Sequence, residues 1–482
     1  MLEFIKGVKN EAPFYYFEQI SKIPRASGNE EAVAKYIYDF AISLGLDATM
    51  DDAFNVFVVK KATIGRENDA PIMLQAHTDM VTEKNVNTVH DFSTDPVELI
   101  QEGNILRANG TTLGADDGFG VAIMMAVLAD DSISHPLLEC LFTSSEEIGL
   151  VGASKFNYKN VKSRRMINLD SAEEDTVIIG CCGGIRTEIT LPVTKTKCDT
   201  NGIKITIGGL CGGHSGEDIN RGRLNSNVLM GKAILEIMRS CPVTISFISG
   251  GDKDNAIPRE CEAIIVPCNE NDYEKCLAIA SGLEKAFKDA KIIKASEDGG
   301  LFIKAESVAP FYTLSTDDTN AILRILSVDN AVLKYRTEPP ILPESSRNLA
   351  RVRTNDDETV AVTFSSRSYF EKGLDDSVDE LDKLSFCVGA TSYHHEKYPG
   401  WMSDTSSQLV IDWQNAFERV SGKRPEATLI HAGLECGLIS AELKGLVAIS
   451  VGCNVHDLHT PQETMELDSL DRIYEAVIEV LK

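Results

Sequence analysis

No two cysteines of this chain are spaced C-x-x-C, although its 482 residues include 12 of them. A zinc knuckle and a thiol–disulfide redox motif are therefore not expected. Cys181 and Cys182 are adjacent, which suits neither a knuckle nor a disulfide framework, and Cys140, within LLECLF, reads as a small buried hydrophobe. A reducing cytoplasm is the expected setting. No apolar run approaches the about eighteen residues that a membrane span needs. The opening MLEFIKGVKNEAPFYYF lacks the apolar core and cleavage site of a signal peptide, so no leader is expected. Basic residues are few beside acidic ones, 47 against 73, for a net charge of −26. That balance argues against nucleic acid or an anionic membrane as partner and says little about a small substrate. What remains is an ordinary globular composition, 43% apolar and 25% charged, at a length for which two domains is the natural expectation.

Apolar strand segments at Val56–Val59, Ile72–Leu74 and Leu137–Thr143 enclose a strongly apolar helical segment, Val121–Leu128. A helix carrying Val33, Ile37, Phe40 and Leu44 on one face precedes them, with Asn29 as its expected cap and Gly45 as its stop. Strands alternating with helices predict an α/β fold: a mostly parallel central sheet flanked by helices, with functional residues at the carboxyl ends of strands. From about residue 185 the pattern changes to alternating strands mixed with helices such as Asn227–Met238, and the acids at strand ends disappear. A second strand-and-helix group at Phe311–Ala390 repeats the order of the first. YPGWMSD then reads as a return linker. The expected organisation is a catalytic domain formed by residues 1–184 and 399–482, interrupted by an inserted α+β domain at 185–398. Within the last segment, Thr460-Pro461-Gln462-Glu463 reads as a capping box that would start a helix just after His459.

The residues that carry chemistry sit where strands end. His77 and Asp79 follow the apolar Ile72–Leu74 with period two, a spacing in which the carboxylate can hold one imidazole nitrogen while the other binds a metal. Alone, such a pair is more often a satisfied core histidine. In GTTLGADDGFGVAIMM, Asp116 and Asp117 precede a buried helix; Asp117 reads as its cap, whereas Asp116 reads as a ligand that a tight glycine context lets approach an ion. Glu146 and Glu147 follow the strand of LFTSSEEIG. One could ligate a metal while its neighbour acts on water as general base. Asp170 ends MINLD in the same way, and His459 comes late. Imidazoles and carboxylates without thiolates suit a catalytic two-metal site, with zinc, cobalt or manganese, rather than a structural one.

The order H-x-D, G-A-D-D-G, E-E-x-G, N-L-D and H-T-P-x-E resembles the di-zinc peptidase clan of glutamate carboxypeptidase, aminoacylase and bacterial dipeptidases. The strings LQAHTDMV, NTVHDF, RANGTTLGADDG, GGHSG, NAIPRE and IHAGLECGL resemble its aminoacyl-histidine dipeptidase branch, over nearly the whole chain. The resemblance implies two Zn2+ per subunit, with Co2+ or Mn2+ able to substitute. His77, Asp116 and Asp170 would hold one ion; Asp116 would bridge, and Glu147 and His459 would complete the second. It assigns Asp79 to orienting His77 and Glu146 to general base catalysis of hydroxide attack on dipeptides, the Xaa-His type such as β-Ala-His among them. Aspartate at 170 leans toward dipeptides, since the clan's carboxypeptidases and aminoacylases tend to carry glutamate there. His214, Asn255 and Arg367 would grip the substrate's carboxylate and scissile carbonyl from a lid, with His214 reaching the neighbouring subunit of a homodimer. Ala76 stands where the branch usually has glycine, and Asp117 where it usually has asparagine. The alternatives are another amidohydrolase of the clan, such as an N-acyl amino acid hydrolase or tripeptidase, and a non-catalytic metal-binding protein.

Overall fold

The computed structural model describes residues 2–289, 298, 300–337 and 341–482. The chain forms two compact units, one of Met1–Cys181 with Trp401–Lys482 and the other of Cys182–Gly400. The first is an α/β unit. Its sheet is built around Leu138–Thr143, Ile72–His77, Arg165–Asn168 and Val447–Ser450, neighbours in that order and all parallel. Antiparallel strands flank this centre: Asp47–Met50 and Val56–Lys60 on one side, Thr176–Cys181 with Trp401–Met402 on the other. Ile72–His77 and Leu138–Thr143 are buried at every residue because both faces are covered, as expected of a parallel sheet.

The expected helix at Val121–Leu128 is the longer Ala115–Ala129, buried along almost its whole length. The chain ends in the helix Leu467–Leu481, with Leu470, Ile473, Tyr474, Val477 and Leu481 buried. Three local expectations need correction. The helix Glu31–Ser43 is not capped by Asn29; Glu30 occupies the cap position, and its carboxylate accepts from the backbone N–H and hydroxyl of Ser145. Leu44 is also exposed rather than on the buried face. No helix starts at Pro461: Thr460–Glu463 is a tight turn in which the Thr460 hydroxyl accepts from Gln462 N–H, and the chain passes into the short strand Thr464–Glu466. Glu463 faces away from its own turn, with a consequence described below.

The second unit carries one nine-stranded antiparallel sheet: two four-stranded halves and a ninth strand, Ala331–Tyr335, paired with Pro343–Thr354. Phe302–Val308, Gly202–Gly208, Cys261–Pro267 and Val243–Gly250 form one half; Pro343–Thr354, Thr359–Ser368, Gly183–Pro192 and Thr391–Tyr398 form the other. The halves join through a short pairing of Ser249 and Gly250 with Arg353 and Val352. The repeated order in the sequence is thus visible in the sheet, with Gly183–Pro192 completing the second half. A contiguous core that includes Ile205, Ile234, Ile265, Leu349 and Phe364 underlies both.

Candidate metal centre

Each candidate ligand of the first unit lies at or just beyond the carboxyl end of a strand, or in a loop that reaches it. His77 is the last residue of Ile72–His77 and is 1% exposed. Glu146 and Glu147 follow Leu138–Thr143, and Asp170 follows Arg165–Asn168. Asp116 opens the buried helix. His459 comes from the turn after Val455–His456 and takes a left-handed φ of 61°, as does Ser145 immediately before Glu146 (φ 51°). Non-glycine residues held there indicate that tertiary contacts fix these loops.

Asp116 stands between the two imidazoles. Its Oδ1 is 3.0 Å from His77 Nε2 and its Oδ2 is 3.2 Å from His459 Nε2. Asp170 Oδ1 is 3.7 Å from His77 Nε2, and Glu147 Oε1 is 3.1 Å from His459 Nε2. Donor atoms of His77, Asp116 and Asp170 cluster within metal-binding range, as do those of Asp116, Glu147 and His459, so the two trios share Asp116. His77, Glu146 and Glu147 form a third such cluster. The contact with His459 associates Glu147 with the second trio and leaves Glu146 beside the ligands.

Asp79 is wholly buried and organises this arrangement. Its backbone oxygen is 3.2 Å from His77 Nδ1, and its Oδ1 lies 3.4 Å from the same nitrogen. Oδ1 also accepts from Glu146 N–H at 2.9 Å, and Oδ2 from Ser27 Oγ at 2.7 Å and Glu147 N–H at 3.3 Å. One carboxylate therefore sets the direction of His77 and the place of the glutamate pair. Asp117 serves as a cap: Oδ1 accepts from Gly120 N–H and Oδ2 from His77 N–H. Both oxygens accept, which suits aspartate better than asparagine, whose amide group would face one of these N–H donors.

The electrostatics call for a cation. Burial, then neighbouring acids, pushes the carboxyls of Glu146, Glu147 and Asp117 up, and Asp170 up to about 7. His459 is lowered by burial but raised further by Asp116 and Glu147, to about 11. Clustered acids that repel one another beside two imidazoles fit divalent ions.

Two further residues hold this site: no local sequence pattern singles out Arg25, and the pattern around Glu463 points to a different role. Buried Arg25 donates to the backbone oxygens of Thr78, Asp79 and Gly114. Gly114 is required beside it: φ is 68°, and a Cβ there would lie 2.6 Å from Arg25 Nη2. Glu463, 2% exposed, accepts from the N–H groups of Leu113, Gly114 and Ala115 at 2.8–3.0 Å and of Asp116 at 3.5 Å. It ties the His459 turn to the Asp116 loop. In the sequence it is the acid of H-T-P-x-E and of the expected capping box, neither of which points to this partner.

In the second unit, His214, Asn255 and Arg367 are neighbours. Gly213–His214 pairs with Ala256–Ile257, and Ser215 N–H donates to Asn255 O at 2.8 Å. Arg367, 7% exposed, approaches His214 Nε2 to 3.5 Å through Nη2 and donates to the Tyr398 hydroxyl at 2.9 Å through Nη1. Its Nε is buried without an acceptor among the described residues.

Carboxylates and imidazoles without thiolates, gathered at the ends of a parallel sheet, are the donor set of a metal-dependent hydrolase. The chain belongs to Peptidase family M20/M25/M40, which matches residues 73–482. It is 34% identical to the cytosol non-specific dipeptidase of Escherichia coli (strain K12) over 97% of this chain and 96% of that protein. The crystal structure of aminoacylhistidine dipeptidase from Vibrio alginolyticus superposes with a TM-score of 0.84 at 31% identity, covering 98% of this chain and 96% of that one. A tripeptidase from Staphylococcus aureus shares the fold at 17% identity, with a TM-score of 0.57 over 98% of both chains. The protein is thus a hydrolase of a metallopeptidase family.

Proposed function

We propose that the protein is a dipeptidase of broad specificity that accepts Xaa-His dipeptides and works with two divalent ions, zinc in the first instance. The observation that carries this reading is the position of Asp116, with one oxygen near each of two imidazoles and a further carboxylate beside each. His77, Asp116 and Asp170 would hold one ion, and Asp116, Glu147 and His459 the other. When bound, the ions supply Lewis acidity for water activation and carbonyl polarisation. Glu146 is the general base: it takes a proton from the attacking water and returns it to the leaving amine nitrogen. Asp79 keeps Glu146 and His77 in register for that transfer.

Arg367 and His214, with Asn255, would receive the substrate's carboxylate and scissile carbonyl; the buried Nε of Arg367 without an acceptor supports an anionic ligand there. The second unit would serve as lid and as the dimerisation surface of a homodimer. A cytoplasmic location is supported by the name of the Escherichia coli relative and by twelve cysteines that form no disulfide. No helix among the described residues is long and apolar enough to cross a membrane.

Steady-state hydrolysis of a panel containing β-Ala-His, other dipeptides, tripeptides and N-acetyl amino acids tests this reading. Dipeptides should be cleaved fastest, activity should vanish with a chelator, and zinc, cobalt or manganese should restore it. A preference for tripeptides or N-acetyl amino acids would reassign the substrate, and activity indifferent to chelation would remove the metals.

A further inference from the structure

The segment IHAGLECGL plays no part in the ligand set, yet it delivers a fully buried acid near it. Glu435 opens the helix Glu435–Glu442 and is 0% exposed. Its Oε2 accepts from Gln75 Nε2 at 2.5 Å and from Thr143 Oγ1 at 2.7 Å, while Oε1 has no hydrogen-bond partner among the described residues. Gln75 Nε2 also reaches Thr143 Oγ1 at 3.1 Å, and Gln75 Oε1 accepts from Asn168 Nδ2 at 2.7 Å. Asn168 Oδ1 in turn accepts from Asp170 N–H at 3.3 Å. Gln75, Thr143 and Asn168 are fully buried themselves.

Thr143 and Asn168 end the two strands that flank Ile72–His77, and Gln75 lies two residues before the end of that central strand; all three strands are parallel, with His77 in register with Thr143 and Gln75 with Asn168. Each strand leads directly to candidate ligands: His77 itself, Glu146–Glu147 beyond Thr143, and Asp170 beyond Asn168. Strands buried on both faces normally carry apolar side chains. Burial pushes the Glu435 carboxyl up to about 7, a penalty that an apolar residue would avoid. The acid must therefore contribute something other than sheet stability.

We propose that Glu435 is a positioning residue of the metal centre: by binding Gln75 and Thr143 it locks the three strand ends on which His77, Glu146–Glu147 and Asp170 are spaced. Among the described residues no hydrogen bond joins it to a candidate metal ligand. Its effect passes through the side chains of Gln75, Thr143 and Asn168. This rests on the two-metal reading of the preceding section.

The roles of the two oxygens define the test. Glu435→Gln keeps an acceptor for Gln75 and Thr143 and puts its amide nitrogen at the unpartnered position; Glu435→Leu keeps the volume and removes the acceptor. Zinc affinity of the full-length protein is measured by chelator competition, the cobalt-substituted protein by its visible absorption, and the metal-free protein by urea denaturation. Glu435→Leu should bind zinc roughly 10–100-fold more weakly and change the cobalt spectrum, whereas Glu435→Gln should stay within about threefold of the parent. Adding Thr143→Val to Glu435→Leu should cause little further loss, because both act on one path. If Glu435→Leu does not fold, Gln75→Met carries the same expectation with the acid in place. Parental zinc affinity and cobalt spectrum in Glu435→Leu, or in Gln75→Met where that variant stands in, would overturn the proposal, as would equal losses in the Gln and Leu variants. A parent that fails to bind two metal ions would overturn the metal centre itself.

Discussion

Glu463→Gln is a nearly isosteric change that should nonetheless be severe. Each Glu463 oxygen faces two backbone N–H groups, Oε2 those of Leu113 and Gly114, Oε1 those of Ala115 and Asp116. A carboxylate accepts at both oxygens, whereas an amide must turn its NH2 toward one of the pairs. In either orientation the variant loses two charge-assisted hydrogen bonds and leaves buried donors facing a donor. At about 1.5–3 kcal/mol for each bond to a charged group, the loss is about 3–6 kcal/mol. It falls on the clasp between the Asp116 loop and the His459 turn. Urea denaturation of the chelated protein, followed by tryptophan fluorescence, reads it out well, because Trp401 and Trp413 both belong to the unit that contains the clasp. Zinc titration should show the ion shared by Asp116, Glu147 and His459 weakened more than its neighbour. A loss under about 1 kcal/mol, or equal weakening of both ions, would refute the reasoning.

Three other outcomes are expected. Glu146→Gln should abolish turnover with two metals still bound, while Glu147→Gln should lose metal as well; elemental analysis separates them, and metal loss from the Glu146 variant would reverse the roles. A Cβ at Gly184 would lie 2.5 Å from the Tyr398 hydroxyl that supports Arg367, so Gly184→Ala should raise KM severalfold with zinc content unchanged, and an unaltered KM would disconnect Tyr398 from substrate. Glu435, with its carboxyl raised to about 7, favours folding at pH values below the ordinary carboxyl range and loses that advantage as pH rises through 7. Metal-free Glu435→Gln should therefore gain stability relative to the parent between pH 5 and 8, and a difference independent of pH would contradict this.

Strand-end chemistry was legible in the sequence because it is local: an apolar run followed by His77, Glu146–Glu147 or Asp170 announces both the strand and the residue that leaves it. The apolar helix after Asp116 and the α/β class were readable for the same reason. Glu463 was misread because a capping box and a long-range clasp use the same residue type; its carboxylate satisfies amides about Leu113–Asp116 instead of those of its own turn. Glu30 repeats the lesson, binding Ser145 across the fold while Asn29 looked like the better cap. Arg25, Glu435 and Tyr398 act on partners distant in sequence, and no periodicity or spacing encodes such pairings.

The pairing of Trp401 with Cys181 has a consequence for how such a chain can change. The first unit is left and re-entered at two hydrogen-bonded neighbours, so its sheet is closed at this seam whatever lies between them. Closing the ends of an insertion there requires no rearrangement of the strands that carry His77, Glu146 or Asp170. The seam acts as a socket: length and content of the inserted segment can be rewritten while the strands that lead to His77, Glu146 and Asp170 keep their places.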